Sequence, residues 1–275
     1  MKSPRILMTT LLALALAVPA VAAPSEEIVI NGSTTVLPVM QKVSENFSAA
    51  HPNIDISLSG GGSGNGIKAL TDGMCHIAMS SRDMKPNEIT LAKSKNVNPV
   101  RTAVAVDALV PVVHPSNPLT TLTAEQLRDI YKGIITNWKD LGGADAPIVV
   151  ISRDTSSGTY ETWEEMIMNK QKVAPSALLQ ASNGAVVQAV SKNKNAVGYI
   201  GFGYLNKSLK KLNVNNIEAT PATALSRQWP IARELYIFTN GQAQGAIKQL
   251  IDYIVDPLKG QKAVLEVGFI PLEKK

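Results

Sequence analysis

A single cysteine, Cys75, in 275 residues rules out an intrachain disulfide. Three histidines, His51, His76 and His114, lie far apart without metal-ligand spacing, and no second cysteine joins them. Aromatic residues make up only 5% of a chain that is 45% hydrophobic, so the core is expected to be aliphatic, with Trp138, Trp163 and Trp229 as structural anchors. Lysines cluster modestly between Lys170 and Lys211, but none of these runs alternates with aromatics, which speaks for a solvated surface and against nucleic acid. A Gly-x-Ser-x-Gly nucleophile turn is absent. Gly61 and Gly66 have P-loop spacing, but Ile67 stands where that motif needs lysine. Gly64, Gly66 and Ala69 match the looser dinucleotide pattern, yet they start several residues past the preceding strand rather than in a tight turn.

Only the start of the chain carries a long apolar run. Lys2 and Arg5 precede Ile6–Val18, and Ala20-Val21-Ala22 supplies small residues at a cleavage position, the pattern of a signal peptide occupying residues 1–22. No cysteine adjoins that cut, so a lipid anchor is not expected and the mature protein is expected in the periplasm. With Lys2 and Arg5 removed, the formal net charge falls by two, from +5 to +3, a weak positive field that helps gather anions.

The mature sequence alternates strand and helix patterns, which predicts a wound α/β fold. Strands are expected at Ile28–Ile30, Ile54–Leu58, Ile77–Met79, Ile148–Ile151 and Val197–Ile200. Val36, Val39, Met40, Val43 and Phe47 have helical spacing. Further helices are expected at Ile67–Leu70, Thr123–Tyr131, Thr159–Met168, Gly184–Val190, Ala243–Ile254 and Leu258–Val267, with Thr123 and Gln126 spaced as a capping box. Two extended passages, Val100–Val113 and Leu235–Thr239, bracket the middle of the chain. They suggest two lobes joined by two crossovers: one from residues 23–106 plus 226–275, the other from 107–225, with ligand in the cleft between them.

Three strand-to-helix loops share one chemistry. They are Asn31-Gly32-Ser33-Thr34-Thr35, Ser59–Gly66 (SGGGSGNG) and Ser152–Thr159 (SRDTSSGT). Helix N-termini with nearby glycines and hydroxyls attract tetrahedral oxyanions, and Arg153 adds a fixed charge with forked donors. Each loop also has a plainer reading. Ser33 or Thr34 is a helix cap, the glycine run is a flexible turn, and Arg153 is a surface partner of Asp154. The recurrence of the same donor chemistry at three helix starts favours a binding site. Cys75 and His76 precede a buried strand and are read as packing residues.

These segments resemble the substrate-binding proteins of phosphate-specific ABC transporters. The likeness runs through Asn31–Pro38 (NGSTTVLP), the glycine run, Ser80–Asp83 (SSRD), Leu122–Gly143 with ITNWKDLGG, SRDTSSGT, Ala196–Tyr204 (AVGYIGFGY) and Gly268–Leu272 (GFIPL). The resemblance implies a two-lobed periplasmic-binding-protein fold of type II, each lobe a mixed sheet flanked by helices. It implies phosphate held in the cleft by hydrogen bonds without metal or cofactor, a monomer, and delivery to the membrane permease of an ABC transporter. The phosphate-binding residues it implies, taken with the loop chemistry, are Ser33, Thr34, Thr35, Gly62, Ser63, Gly64, Ser81, Arg82, Arg153, Ser157, Gly158 and Thr159. Ser81 is a departure, since some members carry there an aspartate that accepts a phosphate proton. Asp83 either supplies that acceptor or pairs with Arg82, and Arg82 is expected to add a second positive charge. Rival readings are the same fold binding sulfate or another oxyanion, surface adhesion, and a secreted phosphatase or esterase, which lacks a base beside any loop serine.

Overall fold

The computed structural model describes residues 26–273; the leader assigned to residues 1–22 lies outside them. The strands are β1 (Glu26–Gly32), β2 (Ile54–Gly60), β3 (Ile77–Ser80), β4 (Pro99–Val113), β5 (Thr121–Leu122), β6 (Val149–Arg153), β7 (Leu178–Gln180), β8 (Ala196–Gly201), β9 (Lys210–Lys211), β10 (Asn213–Val214) and β11 (Ala232–Asn240). The α-helices are α1 (Leu37–Ala50), α2 (Ser63–Thr71), α3 (Pro86–Ser94), α4 (Ala124–Tyr131), α5 (Gly158–Met166), α6 (Asn183–Ser191), α7 (Pro221–Leu225), α8 (Gly245–Val255) and α9 (Gly260–Glu266).

Strand order along the main sheet is β2-β1-β3-β11-β4-β8-β6-β7, with β9 pairing the end of β4. β4 is the spine. Its first part pairs antiparallel with β11 from Pro99↔Asn240 to Ala108↔Ala232, and its last five residues pair with β8 from Leu109↔Gly201 to Val113↔Val197. β4 and β11 therefore carry the chain between two halves, where the two extended passages are read in the sequence.

Separate aliphatic cores fill those halves, giving two lobes. One gathers Ile28, Ile30, Met40, Phe47, Ile77, Leu235, Leu250, Val264 and Phe269, with a smaller group around Ile67, Ala78 and Phe238. The other gathers Leu109, Val112, Leu127, Tyr131, Trp138, Trp163, Val186, Tyr199 and Trp229. All three tryptophans are at most 2% exposed. Such burial of large apolar side chains supplies most of the driving force for each lobe.

Local chemistry explains most of the elements. Val39, Met40, Val43 and Phe47 form the buried stripe of α1, and Pro38 sits in its first turn, where no N–H is needed. At α4 the capping box is complete: the Gln126 N–H donates to Thr123 Oγ1 at 3.0 Å, and the Thr123 N–H donates to Gln126 Oε1 at 2.8 Å. Beyond the unexpected short elements β5, β7, β9, β10 and α7, two helices differ from the sequence reading. α2 starts at Ser63, so the second half of the glycine run is a helical turn rather than loop. α3 buries only Ala92 and so has no apolar period; it starts instead from Pro86 and Glu88, whose carboxylate accepts from the Lys85 N–H at 2.8 Å.

In the first lobe β1, β2 and β3 run parallel, and in the second β6 runs parallel to β7 and β8. The carboxyl ends of β1, β2, β3 and β6 lead into the segments that hold the expected site residues, the usual place for a ligand in an α/β sheet.

Candidate functional site

The three donor-rich segments meet. Thr35 Oγ1, ahead of α1, lies 2.8 Å from Thr159 Oγ1 in the first turn of α5. The Gly64 N–H at the start of α2 donates to the Ser156 carbonyl at 2.9 Å. A Cβ placed on Gly158 would stand 2.4 Å from Ser63 Oγ and 2.8 Å from Ser81 Oγ. Only a glycine lets α5 approach both serines so closely. Gly62 has the same function from the other side: its φ of +100° and the nearby Ser156 carbonyl, 2.7 Å from any added Cβ, exclude a side chain.

Arg153, at the end of β6, is 1% exposed. Its Nε donates to the Gln180 carbonyl at 2.9 Å and its Nη2 to the Ala181 carbonyl at 3.0 Å. Its Nη1 is buried without a hydrogen-bond partner. A buried N–H on a cation is costly to leave unpaired, so this nitrogen marks where an anion belongs. Burial draws the Arg153 guanidinium pKa down, with Asp154 opposing it; an arginine keeps its charge regardless. Asp154 Oδ2 is 4.0 Å from Nη2, so the sequence pairing with Asp154 exists as a long contact but is buried on the arginine side.

Ser33 and Ser157 cap as well as line the site. Ser33 Oγ accepts from the Thr35 and Val36 N–H groups, and Ser157 Oγ from those of Thr159 and Tyr160. Ser63 Oγ accepts from the Ser81 N–H at 3.0 Å and lies 3.3 Å from Ser81 Oγ, bringing the two hydroxyls side by side. Below them Trp163 stacks on Tyr199 at 4.4 Å, and Tyr199 Oη accepts from the Arg153 N–H, which fixes the end of β6.

Three expected residues are engaged elsewhere. The Gly62 N–H donates to the Gly32 carbonyl at 2.9 Å, and the Gly64 N–H is taken by Ser156, so both glycines serve close approach. Arg82 directs its Nη atoms to Glu88, both at 2.8 Å, and its Nε to Glu161. Its charge is thus balanced by two carboxylates and is not a second free cation beside Arg153. Asp83 pairs with Arg101 at a half-exposed position, so it neither serves as the acceptor nor holds the Arg82 fork through its carboxylate.

Three residues absent from the sequence reading complete the site. Asn183 Nδ2 donates to Thr35 Oγ1 at 2.9 Å and Thr34 Oγ1 at 3.2 Å. Arg233 on β11 forks onto Asp107 on β4, at 3.1 Å from Nε and 2.9 Å from Nη2, and reaches Thr159 Oγ1 at 3.0 Å. Asp107 and Arg233 are 0% and 6% exposed. A lone aspartate inside the apolar run Val104–Val113 was a readable signal, because a buried charge needs a partner. Asn183 follows the Ser182 cap of α6 and carries no such signal.

A family model for the PBP superfamily domain matches residues 17–257. The phosphate-binding protein PstS of Borreliella burgdorferi is 34% identical, over 90% of this chain and 91% of that protein. The chain belongs to this family. Its Pseudomonas aeruginosa member PstS is 31% identical over 89% of this chain and 82% of that protein. Among solved structures, a Clostridium perfringens phosphate ABC transporter substrate-binding protein with bound phosphate superposes with TM-score 0.85. It is 33% identical, with 90% of this chain and all of that one covered. A Vibrio cholerae ABC-type phosphate transport receptor has TM-score 0.73 and 34% identity, covering 89% and 100%.

Proposed function

We propose that this protein captures inorganic phosphate in the cleft between its lobes and delivers it to the membrane permease of an ABC transporter. The observation that carries this reading is the unpartnered, buried Nη1 of Arg153, in one of three strand-to-helix segments whose Ser and Thr hydroxyls converge. The named functions of the relatives and the phosphate bound in the Clostridium perfringens protein support it. The binding set is Arg153 with the hydroxyls of Ser33, Thr34, Thr35, Ser63, Ser81, Ser157 and Thr159 around Gly158, and Asn183 behind them. Charge-assisted hydrogen bonds contribute about 1.5–3 kcal/mol each, and micromolar binding requires about 8 kcal/mol, so a handful suffices once water is excluded.

In this reading residues 23–106 with 226–275 form one lobe and 107–225 the other, hinged on β4 and β11, except that Trp229, Ile231 and Ala232 pack in the second core, which moves the return crossover past them. The protein is a monomeric periplasmic binder released from its leader without a lipid anchor. Among the described residues no helix is long and apolar enough to cross a membrane. In this reading it is a binder rather than an enzyme, as its relatives are named: the histidines are engaged away from the loops, and Asp154, which accepts from the Ser156 hydroxyl, also takes the Ser156 N–H. His51 stacks on Phe47, His76 accepts from the Val29 N–H, and His114 bonds Ser116. Calorimetry against phosphate, sulfate and a phosphomonoester tests the proposal. Tight binding of phosphate alone is expected; absent binding, or turnover of the ester, refutes it.

A further inference from the structure

Two of the sequence motifs take no part in the binding set: Gly201–Tyr204, which closes AVGYIGFGY, and Gly268–Leu272 (GFIPL). In the structure they lie against each other. Gly268, with φ +79°, turns the chain off the end of α9, and the two residues after it part company. Phe269, 1% exposed, belongs to the first lobe's core, and Ile270, 2% exposed, to the second's. Ile270 bridges to β4: its carbonyl accepts from the Val106 N–H at 2.8 Å, and its N–H donates to the Val106 carbonyl at 3.1 Å. The Leu272 N–H donates to Gln261 Oε1, whose Nε2 donates to the Val104 carbonyl at 3.0 Å. The chain thus crosses between the lobes a third time, beside β4 and β11.

The ring of Phe269 rests on Gly203, where a Cβ would stand 2.2 Å from it, so the contact needs glycine. The next residue, Tyr204, packs against both lobe cores. Its hydroxyl donates to the Thr34 carbonyl at 2.5 Å, and burial pushes the phenol up to about 12, so the proton stays in place near neutral pH. That carbonyl needs an outside donor. The turn into α1 is already helical at Ser33, whose carbonyl accepts from the Leu37 N–H at 3.1 Å. The next bond in the series would run to Thr34 from residue 38, and Pro38 has no N–H to give.

We propose that Gly268–Leu272 is a third strand of the hinge, and that Tyr204, seated on it, is the positioning residue that holds the Thr34–Thr35 end of the cleft in its binding geometry. The inference rests on the phosphate-binding reading and adds residues outside its binding set. The Phe202 N–H donates to Asp107 on β4 at 2.8 Å, so the 202–204 turn is tied to the hinge at one end and rests on Phe269 in its middle. From this base Tyr204 reaches the first lobe and fixes the backbone just ahead of α1. With that backbone fixed, Asn183 meets both threonine hydroxyls, at 3.2 Å for Thr34 and 2.9 Å for Thr35.

The test is calorimetry with inorganic phosphate, with thermal unfolding of the ligand-free protein alongside. Tyr204→Phe keeps the ring between the cores and loses the bond to Thr34, so the dissociation constant should rise about tenfold while the unfolding temperature moves little. Phe269→Leu withdraws the ring from under the turn and should weaken binding to a smaller degree. If the strap acts through the Tyr204 hydroxyl, the double variant binds no more weakly than Tyr204→Phe alone. Gly203→Ala should weaken binding, and adding Phe269→Leu should restore most of it by making room for the new methyl. Multiplied losses in the double variant would overturn the proposal, because Phe269 and Tyr204 would then act separately. So would a lower unfolding temperature for Tyr204→Phe with wild-type affinity, the mark of a purely structural residue. Should the Phe269 variants fail to fold, Tyr204→Phe still decides, since unchanged phosphate affinity there overturns the proposal. Failure of the wild-type protein to bind phosphate at all would instead refute the function on which the inference stands.

Discussion

Replacing Arg153 with methionine keeps the buried aliphatic stem and removes the charge. In the native protein two of its nitrogens hold the Gln180 and Ala181 carbonyls while Nη1 is buried without a partner. Removing one partner of a buried ionic contact costs about 3–5 kcal/mol, because the remaining charge is left uncompensated. At about 1.4 kcal/mol per tenfold, the dissociation constant should rise by roughly two to three and a half orders of magnitude. The free protein should lose much less, within about 1 kcal/mol, since the substitution also removes a buried N–H that has no partner. Calorimetry gives the first quantity. Thermal unfolding gives the second and adds a control. Phosphate at about 100 times the wild-type dissociation constant should stabilise the native protein by about 2.7 kcal/mol and the variant hardly at all. A variant that binds within a few-fold of wild type would show that Nη1 does not meet the anion, and that its burial is incidental.

Gly158→Ala should abolish tight binding and enlarge the radius of gyration measured with phosphate present, because the new methyl meets Ser63 and Ser81 before the lobes can close; a compact, binding-competent variant would refute this closure geometry. Glu161→Gln removes the α5 partner of Arg82 and of Lys85, the latter at 3.1 Å, while Arg82 keeps Glu88. Phosphate should then leave about tenfold faster with little change in association rate, as expected for a desolvated pair; an unchanged release rate in stopped-flow would count against a clasp between lobes. Burial pushes the Glu88 carboxyl up, but the Arg82 fork, the Lys85 N–H and the nearby positive charges outweigh it and hold the pKa below 4.5. A depressed carboxylate stabilises the fold above its unfolded pKa and loses that contribution as pH falls through the folded value, so Glu88→Gln should flatten the acid limb of the stability profile below about pH 4.5.

The strand–loop–helix repetition and the donor chemistry of the three loops were legible because both are local. A helix start, a glycine or a capping serine acts on neighbours within a few residues. Ser33 and Ser157 lie in the segments after strand ends, Arg153 closes β6, and Ser63 and Thr159 sit in the first turns of α2 and α5. What their backbone N–H groups do was not legible, since Gly64 gives its hydrogen to Ser156, 92 positions away. The triplet Ser81-Arg82-Asp83 shows the same limit. Its charges suggest either a site cation or a local pair, yet Arg82 turns to Glu88 and Glu161, and Asp83 to Arg101. A short motif states which charges are present and leaves open which partner wins.

The residues missed altogether have a common physical property: they stand behind the threonine hydroxyls of the loops. Asp107 and Arg233 lie on the two strands that cross between the lobes, 126 positions apart, and meet only because β4 and β11 pair. Asn183 reaches Thr35 across 148 positions. Loop composition records what can touch an anion, whereas the sense in which each hydroxyl is used is decided by the groups that saturate its other side. For this chain those groups sit on the hinge strands and on α6, so the same contacts that fix the lobes relative to each other also orient the donors. Closure and binding are therefore coupled: a change that loosens Arg233 from Thr159, or Asn183 from Thr35, should be felt both in how the lobes sit together and in the affinity of the cleft.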